Sequence, residues 1–155
     1  MKWIVGLFFI AVVYAQSFGP EYDSVVNINE EMGQITKEIK DTMRGIPNYP
    51  SAEFTCLQNL LIAVGEVSYS LHLYKFSVAM WHSQTDVDKR VVSGLLTVET
   101  NDIKGTVQSN REFINKTLGA NSQFASTCVA KGTELLRAMK KADDVLTAIL
   151  NKLKI

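Results

Sequence analysis

Histidine and cysteine are scarce in this chain, with two of each among 155 residues. That scarcity removes most metal chemistry. His72 and His82 are ten positions apart, which on a helix separates them by about 280° around the axis. They cannot face one ion, and no His-Glu-x-x-His or Glu-x-x-His pattern occurs. The chain also lacks a Gly-x-Ser-x-Gly elbow and a glycine-rich phosphate loop. Its acidic pairs, Glu30-Glu31 and Asp143-Asp144, fall on polar helix faces where solvation explains them. The expectation is therefore a protein that is not an enzyme, with no metal and no cofactor. Basic excess is missing too, with 16 Lys and Arg against 16 Asp and Glu. Phosphate backbones are bound by neutralising their charge, so no nucleic-acid partner is expected.

Long apolar runs are absent beyond the first fourteen residues. The one run there, Ile4 to Tyr14, follows Met1-Lys2-Trp3 and ends in Val13-Tyr14-Ala15 before Gln16. A basic start, about a dozen apolar residues and small residues before the break are the marks of a secretory signal. The run falls short of the roughly 20 residues a bilayer span needs. Residues 1–15 are thus read as a signal peptide cleaved after Ala15. Residues 16–155 are read as a single secreted, extracellular domain with no transmembrane segment. The end of the chain, Leu150 to Ile155, carries neither a retention signal nor a lipid-anchor motif.

The rest of the chain is helical in pattern. Val25, Ile28, Met32, Ile35, Ile39 and Met43 recur at three- and four-residue steps, one stripe on a first helix from about Glu21 to Arg44. Gly45 is expected in a left-handed cap, with Pro47 preventing continuation. Two of the three prolines sit in the linker Ile46 to Pro50. Ser51 then caps a long second helix reaching Gln84. Its stripe runs through Leu57, Leu60, Val64, Val67, Leu71, Tyr74, Val78 and Trp81, and Leu61, Ile62, Phe76 and Met80 widen it. A helix apolar nearly all round is expected to be the central, most buried one. Thr85 caps a third helix whose expected stripe is Val91, Val92, Leu95, Val98, Ile103, Val107, Ile114 and Leu118, ending near Gly119. Asn121 or Ser122 caps a fourth, with Phe124, Cys128, Leu135, Met139, Ala142, Leu146, Ile149 and Leu153 inward. No strand pattern appears. The fold class is all-α: an antiparallel up-down bundle of four helices, three long core helices plus a shorter N-terminal one.

The cysteines test this topology. In an oxidising compartment two cysteines most economically form one disulfide, Cys56–Cys128. Both lie within two turns of a helix start, on helices that an up-down path makes parallel, so they share one end of the bundle. A bridge needs Cα atoms roughly 4.4–6.8 Å apart, closer than packed helix axes at roughly 8–10 Å. The second and fourth helices must therefore approach closely, with Ala52, Ala125 and Gly132 as the small residues nearby. Either a three-helix core with the first helix in an outer groove or a rhombic bundle satisfies this.

Two further features bear on function. Asn115-Lys116-Thr117 is a sequon, making Asn115 the expected glycosylation residue in a secreted chain. The second helix concentrates Tyr69, His72, Tyr74, Phe76, Met80 and Trp81. Aromatic and methionine side chains suit an apolar ligand held between facing helices. The partner expected is an apolar small molecule bound at these six residues, or an extracellular protein for which the chain is an interaction or inhibitor module. The whole-chain plan of leader, four helices and one cysteine pair resembles the small secreted helical proteins of invertebrate gut and saliva. It is also similar to the helical-bundle inhibitors of pectin methylesterase and invertase, although the second cysteine pair typical of those inhibitors is absent.

Overall fold

The computed structural model describes residues 19–47, 51–84, 86–120 and 126–153, the side chains of 86–88 and 126 aside. Residues 1–15, read above as a signal peptide, and Thr85, Asn121, Ser122, Phe124 and Ala125 lie outside the described residues. Four helices account for the described chain: α1 (Pro20–Arg44), α2 (Ala52–Ser83), α3 (Asp86–Ala120) and α4 (Ser126–Leu153).

Each end that can be described has a local cause. Pro20 opens α1 at a position where its missing N–H costs nothing, and Glu21 and Asp23 meet the positive end of the helix dipole. Gly19 before it has φ +86°, and a Cβ there would come within 2.4 Å of the His82 ring, so only glycine fits. At the other end the left-handed cap expected at Gly45 is not formed: Gly45 has φ −83° and ψ −7°. The helix instead tightens, with Gly45 N–H donating to the Thr42 carbonyl at 3.0 Å and Ile46 N–H to Met43 at 3.2 Å. Those bonds satisfy the terminal carbonyls that a left-handed residue would otherwise serve. Ser51 caps α2 as expected, its hydroxyl accepting from Phe54 N–H at 3.1 Å.

Cross-helix bonds define the packing. Glu38, Glu31 and Glu21 of α1 pair in that order with Lys131, Lys141 and Lys152 of α4. Moving back along α1 moves forward along α4, so the two are antiparallel. Tyr74 with Thr100 and Trp81 with Ser93 show the same for α2 and α3. Lys104–Asp143 joins α3 to α4, and Ser68–Asn29 joins α2 to α1. α1 packs on α2 and α4 without touching α3, while α2 and α4 meet across the middle. The bundle is thus rhombic, and α2–α4 is its short diagonal.

The Cys56–Cys128 bridge spans that diagonal, with Cα atoms 6.2 Å apart. Both cysteines are buried and lie in the first turns of parallel helices. Gly132, expected to ease this approach, serves another contact. A Cβ on it would meet Leu118 of α3 at 2.7 Å, so it lets α3 and α4 close together.

The core takes all the expected stripe residues of α1 except the half-buried Met43, and all the described ones of α4. α3 requires a correction. Its buried line is Leu96, Thr100, Ile103, Val107, Asn110, Ile114 and Thr117, a strict alternation of four and three residues. Val91, Leu95 and Val98, expected inside, are exposed, and Val92 and Leu118 are half-buried. Hydropathy misplaces this stripe because three of its members are polar and are satisfied inside. The Thr100 hydroxyl bonds the Tyr74 hydroxyl at 2.6 Å. Asn110 donates to Glu66 at 3.1 Å and to its own helix at Thr106. A buried polar group with partners costs little, so these positions can face the core.

Candidate functional site: the outer face of the α2–α3 hairpin

The six residues singled out on α2 do not converge. Tyr74 and Trp81 point inward, Tyr74 fully buried and Trp81 nearly so, and each gives its polar atom to α3. Burial pushes the Tyr74 phenol well above its usual pKa, so it stays neutral. Tyr69, Phe76 and Met80 point outward and are 66%, 58% and 51% exposed. His72 is also exposed and meets the edge of Phe76, ring centroids 5.8 Å apart. The inward side of α2 is filled by Leu57, Leu60, Val64, Val67, Leu71 and Val78 packed on the other helices. The apolar site between helices expected from these six residues is therefore replaced by two separate sets, one in the core and one on the surface.

α2 packs on all three other helices, as expected of the central one, yet one side of it stays uncovered. Its three neighbours occupy one half of its circumference. The other half carries Ile62, Tyr69, Leu73, Phe76 and Met80, all exposed. Their spacing of seven, four, three and four residues is helical, so they form a second stripe.

The helix register shows where this stripe looks. Ser68 reaches Asn29, placing α1 on one flank of α2, and Glu66 receives Asn110, placing α3 on the other. The exposed stripe lies just beyond Glu66, on the α3 flank. On α3, Lys104 and Leu118 mark the flank that meets α4. Val91, Leu95, Val98 and Phe113 lie away from it, from the outer side round to the α2 flank. The two exposed sets thus border one groove. The Tyr74–Thr100 and Trp81–Ser93 bonds put Phe76 level with Val98 and Met80 level with Leu95.

Ion pairing at this seam differs from that at the α1–α4, α3–α4 and α1–α2 seams. Among the described residues, ion pairs between helices join α1 to α4, α3 to α4, and α1 to α2, and none crosses from α2 to α3. Among the described residues, Glu66, Glu99 and Asp102 border the groove without a cationic partner. Lys75 stands on the α1 flank, its ammonium 5.1 Å from the centre of the Phe76 ring.

The remaining sites lie elsewhere. Asn115 is exposed and lines a groove with Arg111 of α3 and Asp143 of α4, turned away from the apolar face. His82 sits at the far end of α2, its Nε2 3.1 Å from Glu21 but off the line of a hydrogen bond. Among the described residues no group of three or more His, Cys, Asp or Glu gathers as metal ligands. None of the helices described is long and apolar enough to cross a membrane. The surface stripe is not evident from the sequence reading, which takes Tyr69, Phe76 and Met80 as ligand residues and Ile62 as a widening of the inner stripe. The signal was present: two apolar stripes, on opposite sides of α2, exceed what three neighbouring helices can cover. Comparison of the chain with protein-family models, with curated proteins and with solved structures yields no match.

Proposed function

We propose that this is a non-catalytic, exported binding protein that engages a partner protein through the outer face of the α2–α3 hairpin. The observation that carries the reading is the exposed double stripe of Ile62, Tyr69, Leu73, Phe76 and Met80 with Val91, Leu95 and Val98. These eight side chains, each about half to two-thirds uncovered, present on the order of 1,000 Å² together, against about 800 Å² per partner in a standard interface. Exposed apolar side chains gathered on one side of a bundle mostly mark a place where something docks. The rigid helices beneath it hold the aromatic anchors in place, which limits the entropy lost on binding. The leader-like first fifteen residues and the disulfide support an extracellular setting. Asn115, on the α4 side of α3, can carry a glycan without covering the face.

Carbene footprinting tests the proposal on protein recovered together with its partner and again after separation. Shielding concentrated on Tyr69, Leu73, Phe76 and Leu95 is the expected result. Equal labelling of these four in both samples refutes the face. A co-purifying lipid-sized mass by native mass spectrometry, with the face still labelled, returns the function to ligand carriage between helices.

A further inference from the structure

We infer that the partner segment is a cationic amphipathic helix, laid along the α2–α3 groove with its apolar stripe down and its lysines or arginines over Glu66, Glu99 and Asp102. This rests on the docking reading above and specifies the occupant of that face. The first support is shape. The exposed anchors follow α2 from Ile62 to Met80 and α3 over Val91, Leu95 and Val98 beside Phe76 and Met80, a surface into which a third helix packs with residues at i, i+3, i+4 and i+7. From Ile62 to Met80 the stripe extends eighteen residues, about 27 Å at 1.5 Å per residue, the length of five helical turns.

The second support is charge. The bundle neutralises its own carboxylates where helices meet: Glu21, Glu31, Glu38 and Asp143 all face lysines. Along this groove, among the described residues, Glu66 accepts only an amide hydrogen bond and Glu99 and Asp102 have no cation; Lys75 stands on the opposite flank over Phe76, and Lys116 lies on the Val98 line beyond the Ile62 end. Carboxylates beside an apolar surface lose solvation when a partner covers them, so an occupant must bring positive charge. A second copy of the chain would set these carboxylates against their own kind. An anionic lipid surface would repel them.

The experiment uses the full mature chain and two synthetic peptides of about eighteen residues. Both have the same leucine stripe, one with lysine and arginine flanks and one with glutamates in their place. Fluorescence anisotropy at low ionic strength is expected to show the cationic peptide binding at least tenfold more tightly, a preference that shrinks in about 0.5 M salt. The Glu99→Gln/Asp102→Asn double variant should bring the two peptides within about threefold of each other. Phe76→Asp should weaken both peptides by tenfold or more. Equal affinity of the two peptides for the native chain overturns the cationic partner and leaves the docking face standing. Binding unaffected by Phe76→Asp overturns the face itself. Absence of binding by either peptide overturns a helical occupant. A dimer in sedimentation equilibrium, or adsorption to lipid vesicles, that Phe76→Asp abolishes assigns the face to another occupant and also overturns the inference.

Discussion

Replacing both cysteines with alanine should lower thermal stability sharply while leaving the helices in place. The bridge joins residues 72 apart in sequence. In the chain-entropy description, closing a loop of that length removes disorder from the unfolded ensemble worth roughly 4 kcal/mol. For a chain of this size, each kcal/mol moves the melting midpoint by about 3–4 °C, so the expected fall is roughly 12–16 °C. Both sulfurs are buried at 1% and 0% exposure, so alanine is the better probe. Serine would add a buried hydroxyl and confuse loss of the bridge with the cost of an unpaired polar group. The measurement is far-UV circular dichroism during heating, with native and Cys56→Ala/Cys128→Ala proteins compared under non-reducing conditions. At low temperature the two spectra should coincide, because the buried stripes, Leu57 and Leu60 of α2 and Leu135 and Met139 of α4 among them, still fill the core. A midpoint within roughly 3 °C of the native value would refute the reasoning. A low-temperature spectrum that loses its helical signal would show instead that the bridge holds the native packing together.

The corrected register of α3 predicts an asymmetry between neighbours: Leu96→Ala should cost about 2–5 kcal/mol in chemical denaturation, whereas Leu95→Ala, at an exposed site, should stay within roughly 0.5 kcal/mol. Glycines divide in the same way, since nothing lies within 4 Å of an added Cβ at Gly33 whereas Leu118 stands 2.7 Å from one at Gly132. Gly33→Ala should stabilise by up to about 1 kcal/mol, and Gly132→Ala should destabilise unless Leu118 turns away, both read from denaturation midpoints. Glu21 supplies an acid-side dependence. Burial works against its charge, but the Lys152 hydrogen bond and the nearby Lys152 and His82 charges outweigh that and hold its carboxyl below the usual range. A depressed carboxyl contributes stability that is present above its unfolded value near 4.5 and lost as pH falls through its folded value. Melting midpoints of native and Glu21→Gln protein should therefore differ most at neutral pH and converge in acid. Tyr74 acts at the other extreme: its phenol is raised when folded, so the stability it contributes is full below about pH 10 and falls above it. Tyr74→Phe should flatten the alkaline arm of the stability profile.

The order of the four helices was legible in the residues. The stripe Val25, Ile28, Met32, Ile35, Ile39 defined α1, and Cys128 through Leu153 defined α4, because in both the apolar residues outline one face and polar residues hold the others. Ser51 marked a helix start because its hydroxyl accepts from an otherwise unpaired N–H of the first turn. The cysteine pair, together with an up-down path, was enough to bring α2 and α4 into contact. The tertiary structure decided which apolar residues are inside. Hydropathy treats Thr100, Asn110 and Thr117 as surface and Leu95 as core, yet the reverse holds. The reason is that the cost of burying a polar group depends on whether a partner waits for it, and Tyr74 and Glu66 lie some twenty-six and forty-four residues away in sequence. Likewise α2 carries apolar side chains around most of its circumference, but three neighbours cover only half of it. Whether Phe76 and Met80 belong to the core or to the exposed face depends on where those neighbours stand, which is a property of the assembled bundle and not of any one helix.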